Sequence, residues 1–314
     1  MPAVEMLPPP ESERLQAEDG ADAVEVGPPP GLLADLATLV KPRIIVMSLV
    51  AVLVGVHAAG GALAPTPKLI ITLLAVGSVA AASFILNQLL ESGTDARMAR
   101  TRNRPLPAGR LTPGQVLAFG IATAAFGLGS LALVVNLPAA FVAALTFSSY
   151  VFVYTPLKRH TTWNTVVGAI PGALPPVIGW VAVSGRLDPG AAALFAILFL
   201  WQFPHFYAIA WIYRREYHEA GLKMLPCLDV DGDVTSRHIL GTALALLPVS
   251  LVPTLIGVTG TAYFVGAALL GLLYVAASMA FAMDRTTRAA KTLFRISLVY
   301  LPALFLLLSI DLVD

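Results

Sequence analysis

Asn87, Glu91 and Asp95 recur at four-residue intervals where a long apolar segment ends, and Arg97, Arg100, Arg102, Arg104 and Arg110 follow at once. An amide and two carboxylates are hard oxygen ligands for Mg²⁺, a cation that keeps several waters and shares phosphate oxygens with its substrate. Guanidinium forks bind phosphate in bidentate geometry. Together they suit a diphosphate held through Mg²⁺, and their place at the mouth of a membrane helix points to a substrate with a charged head and a lipid tail. On a helix carried past the membrane edge the three side chains form one stripe, a turn (about 6 Å) apart along the axis. Gly93 and Thr94 are expected to loosen its last turn. A solvated helix end with ordinary surface carboxylates is the plainer alternative, but Asn87 still lies inside the apolar run, where an unpartnered amide is costly.

Arg100-Thr101-Arg102-Asn103-Arg104-Pro105-Leu106-Pro107 presents its arginines on a loop stiffened by two prolines. Topology alone explains cytosolic arginines, though not their position directly after the acidic stripe, so Arg100 and Arg104 are favoured for diphosphate binding over Arg97, Arg102 and Arg110. In Tyr154-Thr155-Pro156-Leu157-Lys158-Arg159, Lys158 is either a cation for a leaving diphosphate or a topology lysine. Asn164 opens a segment rich in glycine and proline (Gly168, Pro171, Gly172, Pro175, Pro176, Gly179), of the kind that lines a cavity or a packed interior. Further on, Trp201-Gln202-Phe203-Pro204-His205-Phe206 places a histidine inside an apolar helix. That is a functional candidate by default, although a hydrogen-bonded core histidine is the common alternative; the aromatics around it suit a flat, greasy ring. Glu216 and Glu219, three residues apart, are either surface glutamates or a second carboxylate group facing the Asn87 stripe. The single cysteine, Cys227, matches no metal spacing and is given no role.

These residues must be held by a membrane protein. Of 314 residues, 57% are apolar and 12% charged, against about a quarter charged in a soluble domain. Residues 1–36 are a different polymer, an acidic, proline-rich stretch with Glu5, Glu11, Glu13, Glu18, Asp19, Asp22, Glu25 and Asp35 and only one basic residue, Arg14. It resembles neither a secretory signal nor a transit peptide, and a disordered cytosolic tail is expected. From Lys41 onward, stretches of about 20 apolar residues, the length that spans a bilayer, alternate with short polar breaks. They predict an all-α bundle of nine spans near 43–60, 69–90, 113–134, 138–155, 164–183, 190–211, 238–258, 261–283 and 291–311. Glycines at 120, 127, 129, 168, 172 and 179 predict close helix contacts. Between the spans, one side of the membrane carries only Lys68 and Arg186 of the 20 basic residues, which predicts the N-terminus inside and the C-terminus outside. The polar loops near 91–112 and 212–237 then share the cytoplasmic side, where a site can form between them.

Taken together, Lys41-Pro42-Arg43, the Asn87–Asp95 stripe, Met98-x-Arg100-Thr101-x-x-Arg104-Pro105-Leu106, Tyr154 to Arg159, Trp201-Gln202-x-Pro204-His205 and Glu216-Tyr217-x-x-Ala220-Gly221-x-x-Met224-Leu225-Pro226 resemble the UbiA superfamily of intramembrane prenyltransferases. The stripe alone marks only the superfamily; the segments around His205 and Glu216 narrow the resemblance to its haem-farnesylating branch. The resemblance covers roughly residues 38–311. It implies farnesyl diphosphate and haem b as substrates, with the allylic cation meeting a haem vinyl group and water completing the hydroxyethylfarnesyl chain. Mg²⁺ is then held by Asn87, Glu91, Asp95 and Glu216, with Lys158 assisting departure of the diphosphate. Arg100, Arg104, Arg159, Asn164, Trp201, Gln202, His205 and Tyr217 become substrate-binding candidates, with His205 contacting haem by iron ligation or hydrogen bonding. Haem A synthase or terminal oxidase assembly proteins are implied as recipients, a bacterial cytoplasmic (inner) membrane as the location, and no nucleic acid as a partner. Two departures stand out. The first carboxylate of the stripe is usually aspartate in this family and is Glu91 here, and the second loop lacks an Asp-x-x-x-Asp pair, leaving Glu216 as its nearest counterpart.

Two other functions compete. A superfamily member acting on a quinone precursor or chlorophyllide would share the stripe, but not the pattern around His205 and Glu216. A transporter of an anionic solute would show internal repeats and mid-membrane charges, whereas here the charges gather at one face.

Overall fold

The structure, a computed structural model, describes residues 31–98 and 100–313. Of the tail expected over residues 1–36, residues 1–30 lie outside the described residues. Among the described residues twelve helices follow in order: α1 Leu32–Val40, α2 Pro42–Ala58, α3 Pro67–Asp95, α4 Pro113–Val135, α5 Leu137–Leu157, α6 Asn164–Ser184, α7 Pro189–Ile212, α8 Arg214–Glu219, α9 Leu225–Leu228, α10 Asp233–Leu255, α11 Thr261–Asp284 and α12 Thr287–Ile310. Among the described residues, eight helices are long and apolar enough to cross a bilayer, and α1 with α2 makes a ninth, bent crossing. The protein is an integral, multi-pass membrane protein.

Local sequence explains the breaks. Proline stands in the first turn of α2, α3, α4, α5 and α7, where its missing N–H costs nothing. Side chains of Thr66, Thr112, Asn136, Asp188 and Thr286 accept hydrogen bonds from the first free backbone N–H groups of the helices that follow. Pro42 disfavours a helical residue before it. Lys41 leaves the right-handed helix for the left-handed region (φ 56°, ψ 62°), and the chain bends by 43° there. Residues 32–36, grouped by composition with the tail, are the first turns of α1. Asp35, counted among its acidic residues, is buried against Arg110.

Gly93 and Thr94 do not loosen α3, which runs 29 residues to Asp95. The helices α3, α6 and α7 form the centre, with 67%, 61% and 56% of their apolar stretches inside the bundle, against 22–33% for the other five long helices. Small residues make these contacts possible. Gly55 of α2 packs directly on the Pro176 carbonyl and Gly179 of α6 on that of Val52, while Gly127 of α4 meets the backbone of α3. Gly129, included with these glycines by spacing, faces open space. Because the crossings alternate, the C-terminal ends of α3, α5 and α7, the N-terminal end of α6 and the α1–α2 bend meet at one end of the bundle.

Candidate active site

At that end Asn87, Glu91 and Asp95 open into one cavity of about 400 Å³, together with Lys41, Arg100, Arg104, Lys158 and Tyr217. Glu91 Oε1 lies 2.8 Å from Lys158 Nζ, and Asp95 Oδ2 lies 2.6 Å from Arg104 Nη1. The loop that carries Arg104 is fixed by Thr101 Oγ1, which donates to the Asp95 carbonyl at 2.8 Å. Asn87, only 2% exposed, donates from Nδ2 to Thr155 Oγ1 at 3.0 Å. Because the Thr155 hydroxyl gives its own proton to the Tyr150 carbonyl, the Asn87 carbonyl oxygen does not accept from it and has no hydrogen bond among the described residues. Burial is the largest influence on the Lys158 ammonium and works to lower its pKa. The Tyr154 phenol and the Glu91 carboxylate reverse that, and the net direction is upward.

A second, apolar cavity of about 270 Å³ continues from the first into the bundle between α2, α3, α5, α6 and α7. The two share Ile44, Tyr150, Tyr154, Gly168 and Phe206, which form a neck. A widened, π-helical turn over Ser149–Tyr154 carries both tyrosines, a distortion common at functional sites. Their ring centroids are 5.3 Å apart, and Lys158 Nζ stands 4.6 Å over Tyr154. Gly168 admits this arrangement, since a Cβ there would run into the Tyr154 ring.

The other expected site residues divide between the cavities and places away from them. Arg159 is exposed and does not line either cavity, since one residue's rotation from Lys158 turns it outward. Asn164 is fully buried and donates to the carbonyls of Thr161 and Lys223, clasping two loops, while its neighbour Thr165 reaches the cavity. Gln202 donates to the Ala169 and Leu198 carbonyls and lines the apolar cavity. Trp201 and His205 turn instead toward α12: Trp201 Nε1 donates to the Ser297 carbonyl at 3.0 Å, and the two rings stack at 4.8 Å. His205 Nδ1 lies 2.8 Å from Ser297 Oγ, and that hydroxyl is also 2.6 Å from the Phe294 carbonyl oxygen. On α8 Tyr217 lines the polar cavity and burial raises its pKa. Glu216 does not line the cavity, although its Oε2 is buried without a hydrogen-bond partner among the described residues. Glu219 pairs with Arg215 on the surface. Lys41, whose Nζ lies 5.1 Å over the Phe84 ring, is a cavity cation that the residue types alone did not single out. The available signal was its place directly before Pro42 at the start of an apolar span.

Among the described residues no three His, Cys, Asp or Glu side chains converge into a metal cage. That donor set still fits Mg²⁺, which is held by one or two carboxylates, waters and substrate phosphate and not by an all-protein shell. Glu91, Asp95 and the unengaged Asn87 oxygen sit on successive turns of one helix, beside cations that an incoming diphosphate can share.

The fold and site define a membrane-embedded bundle with a charged chamber opening onto an apolar one. The sequence matches the UbiA prenyltransferase family over residues 48–299. It is 48% identical to the protoheme IX farnesyltransferase of Solibacter usitatus (strain Ellin6076), covering 78% of this chain and 84% of that protein. To the protoheme IX farnesyltransferase of Myxococcus xanthus (strain DK1622) it is 41% identical, covering 90% and 96%. Solved structures share the fold at low identity. A structure of digeranylgeranylglyceryl phosphate synthase has a TM-score of 0.76 at 15% identity, covering 89% of this chain and 98% of that one. A UbiA homologue from Archaeoglobus fulgidus bound to GPP and Mg²⁺ has 0.60 at 17%, covering 88% and 99%. The chain belongs to the UbiA prenyltransferase family, in the group of protohaem IX farnesyltransferases.

Proposed function

We propose that the protein transfers the farnesyl group of farnesyl diphosphate to a vinyl group of haem b, giving haem O for terminal oxidases. The observation that carries this reading is the junction of the two chambers. Two carboxylates and four cations (Lys41, Arg100, Arg104 and Lys158) surround a space for the diphosphate, and the aromatic neck leads from it to a hydrocarbon-lined space for the prenyl chain. The relatives' shared name supplies the acceptor.

The residues assign themselves roles by chemistry. Arg104 and Arg100 grip phosphate oxygens, and Lys41 and Lys158 neutralise charge as the C1–O bond of farnesyl diphosphate breaks, an electrostatic stabilisation strongest in the transition state. Asn87, Glu91 and Asp95 would hold Mg²⁺, which when bound supplies Lewis-acid neutralisation of the departing diphosphate. Tyr150 and Tyr154 offer ring faces to the allylic cation, and the apolar wall of the second cavity keeps early water away. The terminal vinyl carbon of haem bonds to C1 of the farnesyl cation. The positive charge passes to the vinyl carbon next to the ring, water adds there, and one proton is released, so haem b, farnesyl diphosphate and water give haem O and diphosphate. His205, packed beside Ser297 and Phe294 of α12, is proposed as the haem contact.

The basic residues at the cavity end of the bundle support a cytoplasmic site in a bacterial inner membrane. Purified protein incubated with haem b, farnesyl diphosphate and Mg²⁺ should yield a pigment heavier by farnesyl plus hydroxyl on mass analysis. Prenylation of 4-hydroxybenzoate with no farnesylated haem would overturn the assignment.

A further inference from the structure

We propose, resting on the reading above, that Ala80, Val76 and Ile178 set the accepted prenyl chain at three isoprene units. The α3 face is one continuous stripe. Asp95, Glu91 and Asn87 serve the polar cavity, and Phe84, Ser83, Ala80, Val79 and Val76 serve the apolar one. With the origin at Asn87, whose Nδ2 donates to Thr155 beside Tyr154 of the neck, eleven residues separate it from Val76, about 16 Å at the helical rise. A second helix gives the same depth. On α6 the lining runs from Gly168 at the neck to Ile178, ten residues and about 15 Å. An extended isoprene unit contributes four carbon–carbon bonds, about 5 Å along the chain, so three units fill the length and a fourth does not.

What lies past that length is already occupied. Val76 and Ile178 are 4% and 1% exposed and belong to the main packed core, and Leu73, the next turn of α3, packs on the same core. A fourth unit would have to open close-packed hydrocarbon. Ala80 stands one turn nearer the neck than Val76, beside the third unit, where its single methyl leaves room for the chain.

The test uses full-length protein in lipid nanodiscs and compares wild type with Ala80→Leu and Ile178→Val. Binding of geranyl, farnesyl and geranylgeranyl thiolodiphosphates is read by calorimetry, with no acceptor present, and turnover of the three diphosphates is read with haem b. Ala80→Leu should lower farnesyl binding and kcat/KM at least tenfold while geranyl changes less than twofold. Ile178→Val, a milder change that keeps the core filled, should raise geranylgeranyl relative to farnesyl. Equal losses for geranyl and farnesyl in Ala80→Leu, or no change in either, would overturn the proposal. The two readings fail separately. A length preference in the binding series without farnesylated haem removes the acceptor assignment and keeps the ruler, whereas farnesylated haem with unshifted ratios removes the ruler alone.

Discussion

The Glu91–Lys158 pair is where structural and chemical roles can be pulled apart. At 2.8 Å, with side chains 13% and 16% exposed, it lies in a partly desolvated site where each charge needs the other. Lys158→Met strands the Glu91 carboxylate, and removing one partner of such a pair costs about 3 kcal/mol, a fall in Tm of roughly 2–4 °C for each kcal/mol. Glu91→Gln strands Lys158 with a similar result. In the double variant neither charge remains to be compensated, so most of that stability should return. Turnover should behave differently. If Lys158 neutralises the leaving diphosphate, its loss removes one transition-state contact, worth about 10²–10³ in kcat, and removing Glu91 as well gives nothing back. The assay is a double-variant cycle that pairs thermal unfolding in nanodiscs with the rate of haem farnesylation. Recovery of the rate in parallel with stability would show that the pair merely holds α3 to the end of α5, and would refute the assignment of either residue to the substrate.

Asp95→Ala and Arg104→Ala should each abolish turnover while helical content and membrane insertion persist, as read by circular dichroism and extraction; normal activity in either variant removes its diphosphate role. Gly168→Ala should cut kcat about tenfold or more with the fold intact, because the added Cβ drives the Tyr154 ring out of the neck, and an unchanged rate would mean that the ring does not act there. Arg110→Met leaves Asp35, whose side chain is 5% exposed, without its bidentate partner; it should cost about 3 kcal/mol, and unchanged thermal unfolding would show that the α1 contact is not needed. Burial pushes the Cys227 thiol up to about 11. Since the thiolate is the nucleophile, its alkylation at pH 8 should run on the order of a hundredfold slower than that of a free thiol and rise about tenfold for each pH unit up to 11. Fast labelling at pH 8 would contradict the half-buried setting.

How far the sequence could be read follows from the geometry of a helix. The long crossings were legible because a bilayer demands about 20 apolar residues, and composition preserves that demand wherever the exact ends fall. The short α1 was not, because its nine residues adjoin an acidic stretch and are cut from α2 by the left-handed Lys41. Asn87, Glu91 and Asp95 were legible because intervals of four keep side chains on one face. Elsewhere residue type identified a reactive segment without saying which way each member points, since one step along the chain turns a side chain by about 100°. Lys158 faces the chamber and Arg159 the solvent; Tyr217 lines the chamber and Glu216 does not. The same rotation divides the aromatic segment of α7 into two working faces. Gln202 and Phe206, four apart, look into the apolar cavity, whereas Trp201 and His205, also four apart, look toward Ser297 and Phe294 of α12. His205 is thus held against α12 through Nδ1, whereas its neighbour Phe206 lines both cavities and forms part of the neck.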